Sequence, residues 1–409
     1  MRSDAQSVAY LRQTSTIRER ANMLLDACRK GDSEFFDFHA DKMDEIGDYV
    51  CDVIKTNYPD LSIPYHSRWR HFETGGVDRW GQLKEKLPAG NYEQARAAID
   101  LAVTSVLLDA GAGDVWQYHE KDTHIRIGRS EGLGIASFHM FCHGLFSSDA
   151  NNPYQADATG LKNINADTLA EAFQISDDNP MSGLEGRIEL VRSLANILEK
   201  HPDIYGTEAP RPGNMLDVLY QQYPDKKVPA KAVLDILLKT LSDIWPGRTF
   251  LDDENLGDVW QHPSIAANDA TNGLMPFHKL SQWLCYSLLE PISWAGLEII
   301  DLDQLTGLAE YRNGGLFIDG GVLTLKNTEM ADQPIAPDHP FIVEWRALTV
   351  ALLDQLHPIV VQKIGISADR FPLACLLEGG SWAAGRKMAY ARDPAGSPPV
   401  QIKSDGTVF

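Results

Sequence analysis

The chain has 409 residues, 44% hydrophobic and 23% charged, which is enough apolar material to bury a large core and excludes a disordered chain. Its formal net charge is -20, from 37 basic and 57 acidic side chains, so no overall field attracts a phosphate backbone and no nucleic-acid partner is expected. No run reaches the ~18 apolar residues of a membrane span, the start MRSDAQSVAYLRQ lacks the apolar stretch of a signal peptide, and the five cysteines form no C-x-x-C pair, so a cytoplasmic protein with free thiols and no membrane partner is expected.

Taken in order, most segments carry helical spacing. In DEIGDYVCDVIKTNY the apolar set Ile46, Tyr49, Val50, Val53 and Ile54 falls on one stripe, which predicts an amphipathic helix turned off at Pro59. The run HSRWRHFETGG, from His66 to Gly76, crowds histidines, arginines and aromatic rings together. As a surface strand it sends Arg68, Arg70 and Phe72 to one face and Trp69, His71 and Glu73 to the other; for function it reads as the wall of a small-molecule pocket. From Tyr92 to Leu108 apolar residues cover nearly every face, which predicts a central buried helix ending at Asp109-Ala110-Gly111. THIRIG, residues 123 to 128, alternates like a strand. Ser182 and Glu185 have capping-box spacing ahead of a core stripe of Ile188, Val191, Leu194, Ile197 and Leu198. AVLDILLKTLSDIW repeats the helical pattern and stops at Pro246-Gly247. Pro276 is placed in the first turn of the helix PFHKLSQWLCYSLLEP, and Pro291 at its end. LDQLTGLAEYRNGG, 302 to 315, reads as a short helix, and LFIDGGVLTL, 316 to 325, as a hairpin turning at Asp-Gly-Gly. Asp338 and Pro340 open the helix PFIVEWRALTVALLDQL. With no repeat and no low-complexity linker, one mainly α domain over 1–409 with small β hairpin elements is expected.

No P-loop, dinucleotide fingerprint or H-E-x-x-H is present, and GGSWA at 379 to 383 is a poor nucleophile elbow because Ala383 stands where glycine belongs. His139, Cys142 and His143 share a helix face, a spacing that suits a metal, but no second ligand pair lies nearby in sequence; no metal and no cofactor are expected. Four polar features look chemical. Lys279, Gln282 and Tyr286 form a polar stripe, in which the lysine can neutralise a phosphate and the glutamine can pair a sugar or ureide, or which is simply a solvated face. Glu378, Trp382 and Arg386 recur at four-residue steps, among glycines that weaken a helix by roughly 1 kcal/mol each and are easier to understand if something packs close to the backbone. Asp109 ends the buried helix, where desolvation can prepare a carboxylate for acid or base work, or where it merely caps the next turn. Glu344 and Arg346 flank Trp345, and unless functional they read as a surface ion pair worth under about 1 kcal/mol.

The strings PYHSRWRHFETGGVDRW, LLDAGAG, NPMSGLEGR, PFHKLSQWLCYSLLEP, LTGLAEYRNGGLF, VEWRALTVALLD, LEGGSWAAGRK and SDGTVF together resemble the uracil-catabolism (Urc/Urg) family of fungi and bacteria, essentially from end to end. The resemblance implies a pyrimidine breakdown route in which uracil becomes its ribonucleotide, the ring opens, and a ribosylurea-type intermediate yields urea. More distantly, the order PFHKLSQWL, DLDQLTGLAEYRNGG, VEWRALTV, LLEGGSWAAGR is similar to the queuosine-salvage N-ribohydrolases, which implies a DNA-glycosylase-like helical fold and cleavage of an N-glycosidic bond in a 5'-phosphorylated nucleoside. On that resemblance Lys279 and Gln282 match an F-x-K-x-x-Q helix, Tyr311 and Arg312 match an A-D-Y-R string with Glu310 in place of the aspartate, and Glu378, Trp382 and Arg386 match an Asp, Trp and Arg. Asp109 and Trp116 match the ends of a D-x-L-N-F-x-F-W segment, while Ser287 stands where those enzymes carry an aspartate.

The resulting expectation is hydrolysis of the C1'–N bond of ribosylurea or its 5'-phosphate, with urea as product. Its oxocarbenium-like transition state needs a carboxylate near C1' and a proton donor for the leaving nitrogen. Asp109, Glu344 and Glu378 are the candidate carboxylates; Arg68, Arg70, Lys279 and Arg312 the candidate phosphate holders; His71 and His278 the candidate acids; Trp116, Trp382, Gln282, Tyr311 and Arg386 the remaining substrate contacts. Two rivals stay open: an amidohydrolase acting on a ring-opened ureido intermediate, and a non-catalytic pyrimidine-binding regulator. The partners expected are a small-molecule substrate and, at most, further copies of the chain as a homo-oligomer.

Overall fold

The computed structural model describes residues 2–109, 111–113, 115–244 and 249–403. The mainly α expectation holds: helices account for most of the described chain, and the strands are short and come in two-stranded pairs. The chain divides into two compact units, one of Met1–His66, Gly247–Trp283 and Asp301–Phe409, the other of Ser67–Pro246 and Leu284–Ile300. Among the described residues no helix is long and apolar enough to cross a membrane.

The first unit is organised on the 25-residue helix Pro340–Ile364, buried on nearly every face from Phe341 to Leu353. His339, not Asp338, is its N-cap: the imidazole accepts the Phe341 N–H at 3.1 Å, and Pro340 takes the first helical position, where its missing N–H is harmless. Helices Thr14–Lys30 and Lys42–Asn57 pack on it, and the second buries Ile46, Val50, Val53 and Ile54 as its periodicity predicts, with Tyr49 half-buried. The hairpin expected over 316 to 325 does not form. Residues Tyr311–Asp319 are helical, because the Glu310 carboxylate caps that helix and Leu316 and Phe317 are buried by it. Leu323–Leu325 is a strand, but its antiparallel partner is Phe36–Phe38. The helix expected over 302 to 315 is likewise reduced to the single turn Leu302–Gln304 ahead of that cap.

Pro276 is not in a helix either. It closes the strand Leu274–Pro276, paired with Val259–Gln261, and His278 then turns the chain at φ +50° into the helix Lys279–Trp294.

In the second unit, Asn91–Leu107 is the buried helix read from the sequence, with every residue from Ala97 to Leu107 inside; Ala110, part of the expected stop at Asp109-Ala110-Gly111, lies outside the described residues. Helix Arg129–Cys142 packs on it, and the hairpin Gln117–Glu120 with Ile125–Gly128 packs on that helix in turn. HSRWRHFETGG is not a strand: Arg68–Phe72 is a short helix that buries Arg68, Trp69 and Phe72 at helical spacing. The capping box at Ser182 is absent, because Gly183 at φ +75° is the N-cap of Leu184–Lys200; the Ser182 carbonyl instead accepts from Arg187. Helix Ala230–Thr240 forms as read, and its expected stop at Pro246-Gly247 lies outside the described residues.

Pro291 does not end its helix, which runs on to Trp294. A proline there leaves the carbonyl four residues back, that of Ser287, without its helical partner. The Trp69 indole N–H supplies one, at 2.8 Å, from a fully buried position. Replacing Trp69 with Phe keeps a ring but orphans that carbonyl, and guanidinium-chloride unfolding is expected to show a loss of about 1–3 kcal/mol; a change within experimental error contradicts this account of the helix.

Candidate functional site

Chemically suggestive side chains gather in the first unit around the start of helix Tyr311–Asp319. There the Glu310 carboxylate accepts the N–H groups of Arg312, at 2.8 Å, and Asn313, satisfying two donors that a helix start otherwise leaves open. Burial pushes the Glu310 carboxyl up, against the opposing pull of those two N–H groups and of the nearby charges of Lys279 and His66.

Glu378 comes from a π-helical turn, Leu376–Ser381, that precedes helix Trp382–Arg392. Single π turns of this kind re-aim a side chain within an otherwise regular helix. The expectation that something packs close to the backbone at these glycines holds, and what packs there is the protein itself: a Cβ on Gly379 would meet Ile63 at 2.9 Å, and one on Gly380 would meet Val50 at 2.9 Å. Gly385 similarly lies against the Arg312 carbonyl. Ser381 is buried and donates to Asn313 Oδ1 at 2.8 Å, which ties the turn to the capped helix and removes Ser381 as a nucleophile.

Glu378 Oε2 lies 2.7 Å from His66 Nδ1, with side-chain exposures of 18% and 12%, so the pair is shielded yet reachable. The carboxylate can only accept, so the proton sits on Nδ1 and leaves Nε2 as the other functional nitrogen. The Trp382 ring stands 6.2 Å from that imidazole, and the Arg386 guanidinium lies 5.4 Å from the Trp382 ring centre. Glu310, Glu378, His66, Lys279, Tyr311, Trp382 and Arg386 are all intermediate in exposure.

Lys279 is placed by Asp258, whose Oδ2 accepts its backbone N–H at 2.9 Å. Both Asp258 oxygens also take the Arg346 guanidinium at 2.8 Å. Arg346 and Glu344 are therefore not a surface pair. Both are buried, and Glu344 accepts from Ser33 and sits 3.3 Å from His262. Gln282 is consumed structurally: its amide donates to Thr306 Oγ1 at 2.6 Å and to Phe277 O at 3.1 Å, and accepts from Thr306 N. Tyr286 is buried, so the Lys279 stripe is not a solvated face. His278 is in the core, its Nε2 donating to Leu11 O at 3.0 Å. Arg312 is 4% exposed and donates to Gly396 O at 2.8 Å.

The remaining expected residues lie in the second unit, bonded to their neighbours. Arg68 is fully buried, with Nε on Ser105 Oγ at 2.7 Å, Nη1 on His71 Nδ1 at 2.7 Å, and Asp109 at 3.2 Å. Asp109 also accepts the Ser130 hydroxyl, so this carboxylate is clamped in place. Arg70 pairs with Glu290 at 2.9 Å, and Trp116 is buried with its N–H on Phe173 O at 2.8 Å. Ser287 is buried and its hydroxyl accepts the Arg68 N–H at 2.9 Å. His139 bonds to Glu120 at 2.8 Å, inside an Arg79–Glu120 ion pair, and burial pushes the Cys142 thiol up to about 12. Among the described residues no group of three His, Cys, Asp or Glu side chains is placed to hold a metal.

Two residues of the cluster were not among the expected site residues. His66 meets Glu378 across 312 positions, which no local pattern announces. Glu310 carried a readable signal, an acidic residue immediately before a helix start, but that signal is equally the mark of an ordinary cap.

Burial alone pushes the Asp258 carboxyl up, but Arg346 together with hydrogen bonds from Trp260 and Lys279 outweighs this and holds it well below the ordinary range. Its contribution to stability is therefore present above the unfolded carboxylate value of about 3.9 and lost as pH falls through the depressed folded value. Asp258→Asn leaves a buried guanidinium unpaired and is expected to lower unfolding stability at neutral pH by about 3–5 kcal/mol, with a weaker acid dependence than wild type; equal stability of the two proteins in guanidinium unfolding contradicts this.

Comparison with known proteins covers the whole chain. A family whose description reads "Protein of unknown function (DUF1688)" matches residues 10–409. A protein of Lachancea kluyveri named Uracil catabolism protein 4 is 38% identical, across 98% of this chain and 99% of its own length. Protein urg3 of Schizosaccharomyces pombe is 39% identical, across 99% of both chains.

Proposed function

This chain belongs to the uracil-catabolism (Urc/Urg) family, and from that premise we propose that it serves uracil breakdown as a hydrolase cleaving the C1'–N bond of ribosylurea or its 5'-phosphate. The observation that supports this reading best is the half-buried arrangement of two carboxylates, Glu310 and Glu378, with His66 and Lys279 in one unit. Glycosidic cleavage through an oxocarbenium-like state uses such parts: a carboxylate for the positive charge and the water, and an acid for the leaving group.

In the proposed step, water attacks C1' as the C1'–N bond breaks and its electron pair passes to the urea nitrogen. His66, charged and held through Nδ1 by Glu378, gives its Nε2 proton to that nitrogen. Glu310, in its ionised form, orients the water, stabilises the charge at C1' and takes the water proton, which later returns to His66. Lys279 faces the phosphate as a point charge, and Trp382 covers the sugar or ureide. Glu378, a candidate for the carboxylate at C1' from sequence, serves instead to hold His66, and Asp109 and Glu344, each engaged by protein partners, likewise give way to Glu310 at C1'.

One observation favours the reading of a non-catalytic binding protein. The position where the resembling N-ribohydrolases carry an aspartate is Ser287, buried and bonded to the Arg68 backbone.

Purified protein with ribosylurea, phosphoribosylurea or uridine monophosphate separates the two readings. Urea is expected from a ribosylurea form. Glu310→Gln and His66→Ala are expected to lower kcat by roughly 10²–10⁴-fold, and Lys279→Ala to raise KM for the phosphorylated form alone. Tight binding without urea over hours overturns the hydrolase.

A further inference from the structure

In the second unit a cavity of about 200 Å³ is lined by Trp80, Lys84, Asn91, Gln94, Ala95 and Trp294. Trp80 and Trp294 stack with ring centres 5.7 Å apart and planes 14° from parallel, and both meet the buried Trp69 edge-on. Trp69 is fixed by its bond to Ser287 O, so this aromatic wall is rigid, yet Trp80 and Trp294 are only half-buried.

The polar groups beside the wall are not used up by the protein. Among the described residues the ammonium of Lys84 has no ion pair, although the chain carries a net charge of -20, and the Asn91 carboxamide and the two half-buried indole N–H groups have no protein partner. Gln94 spends one N–H on Pro88 O, at 3.4 Å, which leaves its carbonyl oxygen available.

Each feature narrows the ligand. Indoles at a half-open wall stack planar rings, carboxamides both donate and accept along a ring edge that alternates N–H with C=O, and a lone ammonium takes an anion. The cavity is smaller than the roughly 300–1,000 Å³ of sites for drug-sized ligands, so it suits one ring and not two. We propose that it binds a pyrimidine-type ring bearing imide N–H and carbonyl groups, as free base or as mononucleotide, with the ring against the indoles, its polar edge on Gln94 and Asn91, and any phosphate at Lys84. The site is independent of turnover around Glu378.

The test uses full-length protein carrying Lys279→Ala, so that the cluster in the first unit does not hold the phosphate, and follows tryptophan emission on titration with uracil, uridine monophosphate and ribose 5-phosphate. The nucleotide or the base is expected to quench. Lys84→Glu is expected to weaken nucleotide binding by about tenfold or more while leaving the base within about twofold, and Gln94→Leu to weaken both. A nucleotide far tighter than the base identifies the ligand as the nucleotide, and equal affinities identify the base. Absence of quenching at millimolar ligand, quenching by ribose 5-phosphate equal to that by the nucleotide, or unchanged affinity in both variants overturns the proposal.

Discussion

One buried carboxylate ties the first unit together. Asp258 binds the Arg346 guanidinium from the long central helix at 2.8 Å through both oxygens, takes the Trp260 indole N–H, and accepts the Lys279 backbone N–H that starts the next helix. A charge so deeply buried persists only when its partners are complete, which makes the relative placement of these segments all-or-none. Lys279 is at the end of this chain of constraints, so its side chain enters the Glu310 environment from a fixed backbone.

The same economy governs the carboxylates. Glu310 satisfies a helix start and also faces Lys279 and His66; Glu378 leaves a π turn and meets His66. In both cases an element boundary sets a carboxylate where regular helix would have turned it elsewhere. By contrast Asp109 holds the Ser130 hydroxyl and lies against Arg68, and the buried Glu344 holds the Ser33 hydroxyl with His262 at 3.3 Å, contacts that fix structure.

Sequence pattern reached the helices whose apolar periodicity is long, such as Lys42–Asn57 and Asn91–Leu107, because burial alone decides them. It failed where a distant partner decides. Pro291 reads as a stop until Trp69 satisfies the carbonyl it frees, and LFIDGGVLTL reads as a hairpin until Phe36–Phe38 claims one half and Glu310 caps the other. For the site, the residues around Glu378 and Lys279 were singled out as candidates through their spacing and a family resemblance. His66 was not, because its partner lies 312 positions away, and Gln282, His278 and Arg312 were misread because polar residues buried for structure look the same in sequence as residues turned toward a ligand.

The central claim is which bond breaks. Ribosylurea labelled at its carbonyl carbon, incubated with the protein and followed by carbon NMR, reads this directly. Labelled urea appearing with free sugar is the result expected of hydrolysis at C1'. Labelled bicarbonate or carbamate appearing instead means that the ureide amide was cut, and contradicts it.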